Sequence, residues 1–419
     1  MTEVNPDYLT QFGVDIPNAP VNLFEEFSVV EITLMESMMT PSLQTRIVCQ
    51  SYRHNGYVKD WDKLAGEKLI MKIQRNILRD HGVEHILDLE QTIFKVSERK
   101  PKSKEIDELT ITACDDTLLK NASRRMNKSW QCTTPSAIVR DALVNCVGAK
   151  RVRVEPASPP RTYFAENIHP YQVIAQQADV ALASSDDPSF FHFMTYQNLG
   201  MHHFRSLKKM TSQKITRASD HSDPEFKDGL FKYKEKTGID TTFGKPDTIL
   251  AYEFPEDFDI LSDLMNGVDQ DGVDQNSLVI LNPFTGLHSI LGGANAGCGV
   301  GGSQQAQSFT DKGSAQGCEI DVEKHRLKRQ ARVDLLGKDS VALRMTVAWN
   351  PNLNTGKMIG VEFKNKILDE TGKVIRTEKD YGSGEYLITA LTHNIKPGGF
   401  STTIIDCVSK SVGKGGSSR

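Results

Sequence analysis

No two cysteines of this chain stand at CxxC spacing. The seven, Cys49, Cys114, Cys132, Cys146, Cys298, Cys318 and Cys407, are odd in number and scattered. Neither a zinc-ligand pattern nor a disulfide framework is spelled out. Free thiols in a reducing compartment are expected, with Cys298 and Cys318, which flank a glycine-rich stretch, as the pair that oxidation could join. Long apolar runs are missing too, since none approaches the ~20 residues of a membrane helix. Residues 1–20, MTEVNPDYLTQFGVDIPNAP, lack the basic and apolar regions of a secretory leader. Excess positive charge is also absent. With 50 Lys and Arg against 54 Asp and Glu the formal net charge is −4, which gives no global reason for nucleic-acid binding.

The 419 residues, 38% hydrophobic and 25% charged, can bury the cores of two to four domains. Residues 1–22 read as an extended arm. Alternating, β-branched segments follow: FSVVEITLMESM, RIVCQS, LIMKIQRNIL, TIFKVSERK and ELTITACD, which together suggest a small barrel or sandwich. The period then changes to that of a helix. DTLLKNASRRMNKSW places Leu118, Leu119, Ala122 and Met126 on one face. TPSAIVRDALVNCVGA opens on a helix-start signal, buries Ile138, Val139, Ala142, Leu143 and Cys146, and ends at Gly148. HPYQVIAQQADVALAS turns Val173, Ile174, Ala178 and Leu182 inward. SFFHFMTYQNLGMHHFRSLKKM reads as an aromatic hairpin with a basic exit.

Residues 211–245 are polar and basic. From Pro246 to Asp311 there is no Lys or Arg but ten acids, nine of them between Asp247 and Asp274. A short helix, FDILSDLMNG, and a strand pair, SLVILNPFTGLHSIL, are expected inside this stretch. The low-complexity loop LGGANAGCGVGGSQQAQS and the basic run Lys324–Arg332 come next. Four more strands follow, VALRMTVAW, KMIGVEFK, EYLITALTHNI and FSTTIIDCV, and then a flexible tail.

None of the chemistry-bearing patterns completes a site. Gly292 and Gly297 stand at P-loop spacing, but Cys298 and Gly299 occupy the places of the phosphate-binding Lys and the magnesium-binding Ser or Thr. His202 and His203 are adjacent on a strand, so they point to opposite faces and cannot easily share a metal ion with His192. The Asp269–Gln275 turn lacks the closing Glu of a calcium loop. Cys298 with His325 or His393 has nothing to preorganise it, and no GxSxG occurs. No cofactor, metal or catalytic residue is assigned. His393, at the end of an alternating strand, reads as structural, with Tyr386, Ile388, Ala390 and Thr392 on one face and Leu387, Thr389, Leu391 and His393 on the other.

Taken in order, the segments from about Leu23 to Val408 resemble the central baseplate hub proteins of contractile-tailed bacteriophages, the late-control gene D type hub family. VEITLMESMMTPSLQTRIVCQS is similar to the opening strand pair of that family's first barrel. WDKLAGEKLIMKI resembles its L-x-G-x-E step, carried here by Leu64, Gly66 and Glu67. The basic helix after ELTITACDD, the helix and hairpin up to SLKKM, and the acidic ILAYEFPEDFDILSDLMNGV also match in order. SGEYLITALTHNIKPGGFSTTIIDC is similar to the last hairpin of the second barrel, through Ser383, Gly384, Tyr386, Leu387 and Ile388. The glycine-rich loop at 292–317 departs from the pattern.

The resemblance implies an α+β, mainly β fold, with two tube-like antiparallel β-barrels and an α+β domain between them. Its expected divisions are an arm over 1–22, a first barrel over 23–115, the α+β domain over 116–210, and a linker with acidic segment and loop over 211–322. The second barrel follows over 323–408, with strands from 246–291 admissible, and a tail over 409–419. It also implies a homotrimeric, non-enzymatic virion protein whose six barrels mimic a sixfold ring. Such a ring joins the sixfold tail tube above to the threefold spike below, among tape-measure and baseplate proteins, and DNA passes through it. Asp247, Glu253, Glu256, Asp257, Asp259 and Asp263 are the candidates for an acidic lumen that repels phosphate. The alternatives from the sequence are a tail-associated peptidoglycan hydrolase or another tail tube component.

Overall fold

Alternation builds the first barrel. In LIMKI, Leu69, Met71 and Ile73 are buried while Ile70 between them is 42% exposed, the period-two signature of a half-buried strand. The computed structural model describes residues 10–15, 27–52, 64–75, 86–184, 187, 189–196, 199–213, 232–235, 248–254, 278–281, 288–291, 307–310, 341–368, 374–379, 382–397 and 399–409. Its first six strands are β1 (Thr10–Asp15), β2 (Phe27–Ser37), β3 (Thr40–Tyr52), β4 (Lys68–Arg75), β5 (Ile86–Pro101) and β6 (Ile106–Cys114). They pair antiparallel in the order β1-β4-β5-β6-β3-β2. Part of the expected N-terminal arm is therefore a strand, whose backbone groups satisfy the edge of β4. Inside, Ile32, Leu34, Ile47, Leu89, Ile93 and Ile111 form one core, each worth roughly 1.5–3 kcal/mol of transfer free energy.

The α+β unit begins with α1 (Asp116–Ser123), capped by the Asp115 carboxylate, which accepts from Leu118 N at 3.0 Å. The long helix expected through Trp130 stops here. Arg124 is extended, and Met126 is the first residue of β7 (Met126–Thr133), facing Ile168. Leu118 and Leu119 are only half-buried and Ala122 is exposed; what is buried on α1 is Thr117. Pairing with a distant strand has overridden the local helical period.

The next helix, α2 (Pro135–Asp141), runs into a π-turn over Ala142–Cys146 and buries Ile138, Val139, Ala142 and Leu143, while Cys146 is half-buried. Strands β8 (Val152–Val154) and β9 (Arg161–Ile168) follow, then α3 (Pro170–Val180), which buries Val173, Ile174 and Ala178. Leu182, expected on α3, lies past its end, where its N–H donates to Ser158 O at 2.8 Å. The aromatic hairpin is β10 (Phe190–Thr195) and β11 (Met201–Ser206), joined through Leu199 and Gly200, both at positive φ. Its basic exit is a one-turn helix, α4 (Leu207–Thr211).

The second barrel draws on β12 (Lys232–Glu235) and β13 (Thr248–Glu253), then β17 (Val341–Ala348), β18 (Met358–Glu362), β21 (Gly384–Ile395) and β22 (Thr402–Ser409). Between them lie a three-stranded sheet of β14 (Leu278–Leu281), β15 (His288–Leu291) and β16 (Gln307–Thr310), and a hairpin of β19 (Lys364–Leu368) and β20 (Val374–Lys379). The strand pair expected in SLVILNPFTGLHSIL is thus β14 with β15, antiparallel. The expected helix FDILSDLMNG, the glycine-rich loop at 292–302 and the basic run at 324–332 lie outside the described residues.

The order β21-β18-β12-β13-β17-β22 closes on itself, because β22 also pairs with β21. Two expectations change here. Residues 232–235, placed in a linker from sequence, form a stave of this barrel, and β12 runs parallel to both β13 and β18. Four residues are too few to show a period in sequence; the barrel's open slot recruits them.

Candidate functional site

The two barrels meet at a seam that brings together distant parts of the chain. Strand β2 pairs with β21 from Ile32↔Ile395 to Ser37↔Ala390, which joins the barrels into one twelve-stranded sheet. Strand β21 serves both. Tyr386, Ile388 and Leu391 belong to the second core and Ile395 to the first. The simple alternation expected along this strand fails midway. Ala390 and Thr392 are half-buried, whereas Leu391 and His393 are buried with Tyr386 and Ile388. A register shift against β22 between Ile388 and Ala390 inserts one residue and exchanges the two faces.

The resemblance residues sit at turns and staves. Leu64 caps the first core at 4% exposure. Gly66, at φ +98, donates its N–H to Ile93 O at 2.7 Å, and Ile93 N returns a bond to Glu67 O at 3.0 Å. The step is thereby fastened to β5. Ser383 Oγ donates to Phe363 O at 3.0 Å and accepts from Phe363 N at 2.9 Å. Gly384 faces Val361 across the ladder. The Tyr386 hydroxyl donates to Gly382 O at 2.7 Å, and Leu387 points into a separate cluster with Met38, Phe191, Phe193, Met210 and Met358. That cluster mixes side chains from both barrels and the α+β unit, so it glues the seam.

Of the six acids proposed for a lumen, Glu253 is described. It is exposed on β13, and Arg344 Nη1 reaches its Oε1 at 3.2 Å while Arg344 Nε donates to Asp406 Oδ1 at 2.6 Å. An exposed cluster of this kind contributes about 0–1 kcal/mol per pair. Asp247, Glu256, Asp257, Asp259 and Asp263 lie outside the described residues.

The histidines are structural partners of buried groups. His202 and His203 point to opposite faces, as strand geometry requires. His202 Nε2 is 3.0 Å from Thr117 Oγ1 and its Nδ1 is 3.2 Å from His192 Nε2, and Thr117 in turn bonds Asp115. His203 stacks on Phe193 and lies 2.9 Å from Thr195 Oγ1. Among the described residues no three His, Cys, Asp or Glu side chains are grouped to hold a metal. His393 Nδ1 is 2.8 Å from Thr403 Oγ1, and burial pulls its pKa down to about 4. Gln at this position can keep one bond to Thr403 without a charge. We expect His393→Gln to cost at most ~1 kcal/mol in urea unfolding and to leave assembly intact; a cost above ~3 kcal/mol would show that the ring itself is required.

A cavity of about 70 Å³ opens between β6, α1 and the β10–β11 turn, lined by Asp115, Asp116, Lys120, Lys150, Arg151 and His202. It is well below the ~300 Å³ at which substrate pockets begin. Two of its lining carboxylates are ion-paired, Glu90 with Lys150 of the same lining and Asp116 with Lys68 beside it.

Sequence reasoning missed Glu36 and Tyr196, the residues that tie this seam together. Glu36 stands in an alternating strand where a charge signals a solvated face, and it is 3% exposed.

No protein-family model matches the chain, and no curated protein sequence matches it significantly. Solved structures do. A tail protein from Neisseria meningitidis MC58 aligns over 97% of this chain and 98% of its own, with TM-score 0.53 and 11% identity. The 43 kDa tail protein of prophage MuSo2 from Shewanella oneidensis aligns over 94% and 97%, with TM-score 0.48 and 11% identity. An E. coli component of the type VI secretion system, described as similar to T4 bacteriophage tail proteins, aligns over 94% and 76%, with TM-score 0.48 and 8% identity. Two barrels with an α+β unit between them, matched end to end by the Neisseria protein, give this chain the fold of that tail protein.

Proposed function

We propose that the chain is the central hub subunit of a contractile-tail baseplate, a structural virion protein and not an enzyme. The observation that carries this reading is the β2–β21 pairing, which sets two six-stranded units side by side in one chain. Three such chains present six barrels, so a threefold ring can meet a sixfold tube on one side and a threefold spike on the other. Closing the ring also covers strand edges that would otherwise be templates for aggregation. In this reading the tape-measure protein and DNA pass through the lumen without specific binding, and surrounding baseplate proteins grip the outside. The acids from Asp247 to Asp263 face the channel, and assembly takes place in the host cytoplasm.

Native mass measurement of the purified chain tests it. The expected particle has three times the 46.7 kDa chain mass, with six lobes around its axis in projected electron micrographs. A sixfold particle would point to a tube subunit instead, and a monomer at concentrations well above micromolar would sink the ring.

A further inference from the structure

Glu36 sits at the end of β2, and its two carboxylate oxygens reach into the other two units. Oε1 accepts the N–H of Tyr196, from the hairpin, at 2.6 Å, and Oε2 accepts the N–H of Thr355, from the β17–β18 loop, at 3.0 Å. Tyr196 returns the tie. Its hydroxyl donates to Gln44 O at 2.5 Å and accepts from Met35 N at 3.2 Å, both on the first barrel. Thr355 is 3% exposed, and its Oγ1 lies beside the same carboxyl without a hydrogen bond of standard geometry.

We propose that Glu36 is a proton-operated latch, holding the hairpin and the β17–β18 loop on the first barrel most tightly when it is protonated and letting the seam open locally when it ionises. An ionised carboxylate kept from water is costly even with two amide donors. Burial raises the Glu36 pKa from 4.5 to about 7, against the opposing pull of the two amides, of the Thr355 hydroxyl and of Lys357. In an open seam the carboxyl would return to its ordinary value. The closed form thus gains stability below about 4.5, and loses it progressively as pH rises from there to about 7.

The other ionisable groups facing this seam act differently. Lys357, 7% exposed, comes from the same loop as Thr355. His203, on β11, is pulled to about 3 by burial and by nearby cations, so it stays neutral across this window. Asp115, at the end of β6, is raised by burial, and its own amide partners are Leu43 and Leu118. The Tyr196 hydroxyl is pushed far up by burial and does not titrate here.

Amide hydrogen exchange on the full chain between pH 4 and pH 8.5, corrected for intrinsic rates, tests the latch. Protection at Tyr196 and Thr355 should fall together by up to roughly 100-fold between about pH 4.5 and 7, then level off. The core amides of Ile111 and Ile405 should not follow. Glu36→Gln, neutral at every pH, should abolish the slope at both sites. Should that variant fail to fold, the wild-type series decides by itself. Constant protection at Tyr196 and Thr355 overturns the proposal, as does a slope that survives in Glu36→Gln. A change confined to Leu43 and Leu118 assigns the effect to Asp115 and overturns it too. Protection that rises with pH instead would mean that a buried histidine governs the opening.

Discussion

Trp349→Ala should lower the unfolding free energy by about 3–5 kcal/mol, the range for emptying a large aromatic site in a core. Trp349 follows β17 of the second barrel, yet it is 1% exposed among residues of the first core, with Tyr196, Met194 and Ile395. Its backbone N–H donates to Ser401 O at 3.0 Å, which holds the main chain in place and keeps it from collapsing into the void. The truncation therefore removes packing that spans two units, and both should loosen together. Urea unfolding followed by far-ultraviolet circular dichroism measures the loss. Trp349→Phe, which keeps much of the volume, should cost clearly less. Equal costs for the two would mean that the indole N–H, not packing, is what the site needs.

Gly356→Val should be comparably damaging, at roughly 3–5 kcal/mol, for a backbone reason and a packing reason that add. Gly356 has φ +79, a conformation that β-branched residues avoid. A Cβ placed there would stand 2.7 Å from Phe193 Cζ and 3.1 Å from Met210 Sδ. Neither neighbour can retreat, since both are buried in the seam cluster with Leu387 and Met358. The Gly356 backbone is held as well, donating to Ile388 O at 2.9 Å and accepting from Gln213 Nε2 at 2.9 Å. The measurable consequence is a large fall in the urea midpoint, with exchange at the Ile388–Gly356 contact speeding more than at Ile111. A loss under ~1 kcal/mol would mean that the loop re-forms around the side chain.

Local patterning was enough for most strands. Ile32 and Leu34, and Leu69, Met71 and Ile73, alternate because one face of each strand is buried and the other wet, and a period of two survives in the sequence. Pro135 and Pro170 mark helix starts for an equally local reason, because proline's missing N–H has no partner to lose at the first turn. The order of segments also carried the likeness to hub proteins, and with it the fold.

What local pattern could not supply was decided by residues far apart in the chain. Met126 left its helical period because Ile168 offered a strand partner. The parity of β21 reversed because one residue bulged against β22. The four residues of β12 became a stave because the second barrel had a place between β13 and β18. Glu36 reads in sequence as a solvated charge on an alternating strand, and only the meeting of three units buries it. Propensity and period are sums over neighbours a few residues away, so they reach as far as the strands and helices. The seam rests on contacts between residues as distant in the chain as Ile32 and Ile395, and only the tertiary structure brings them together.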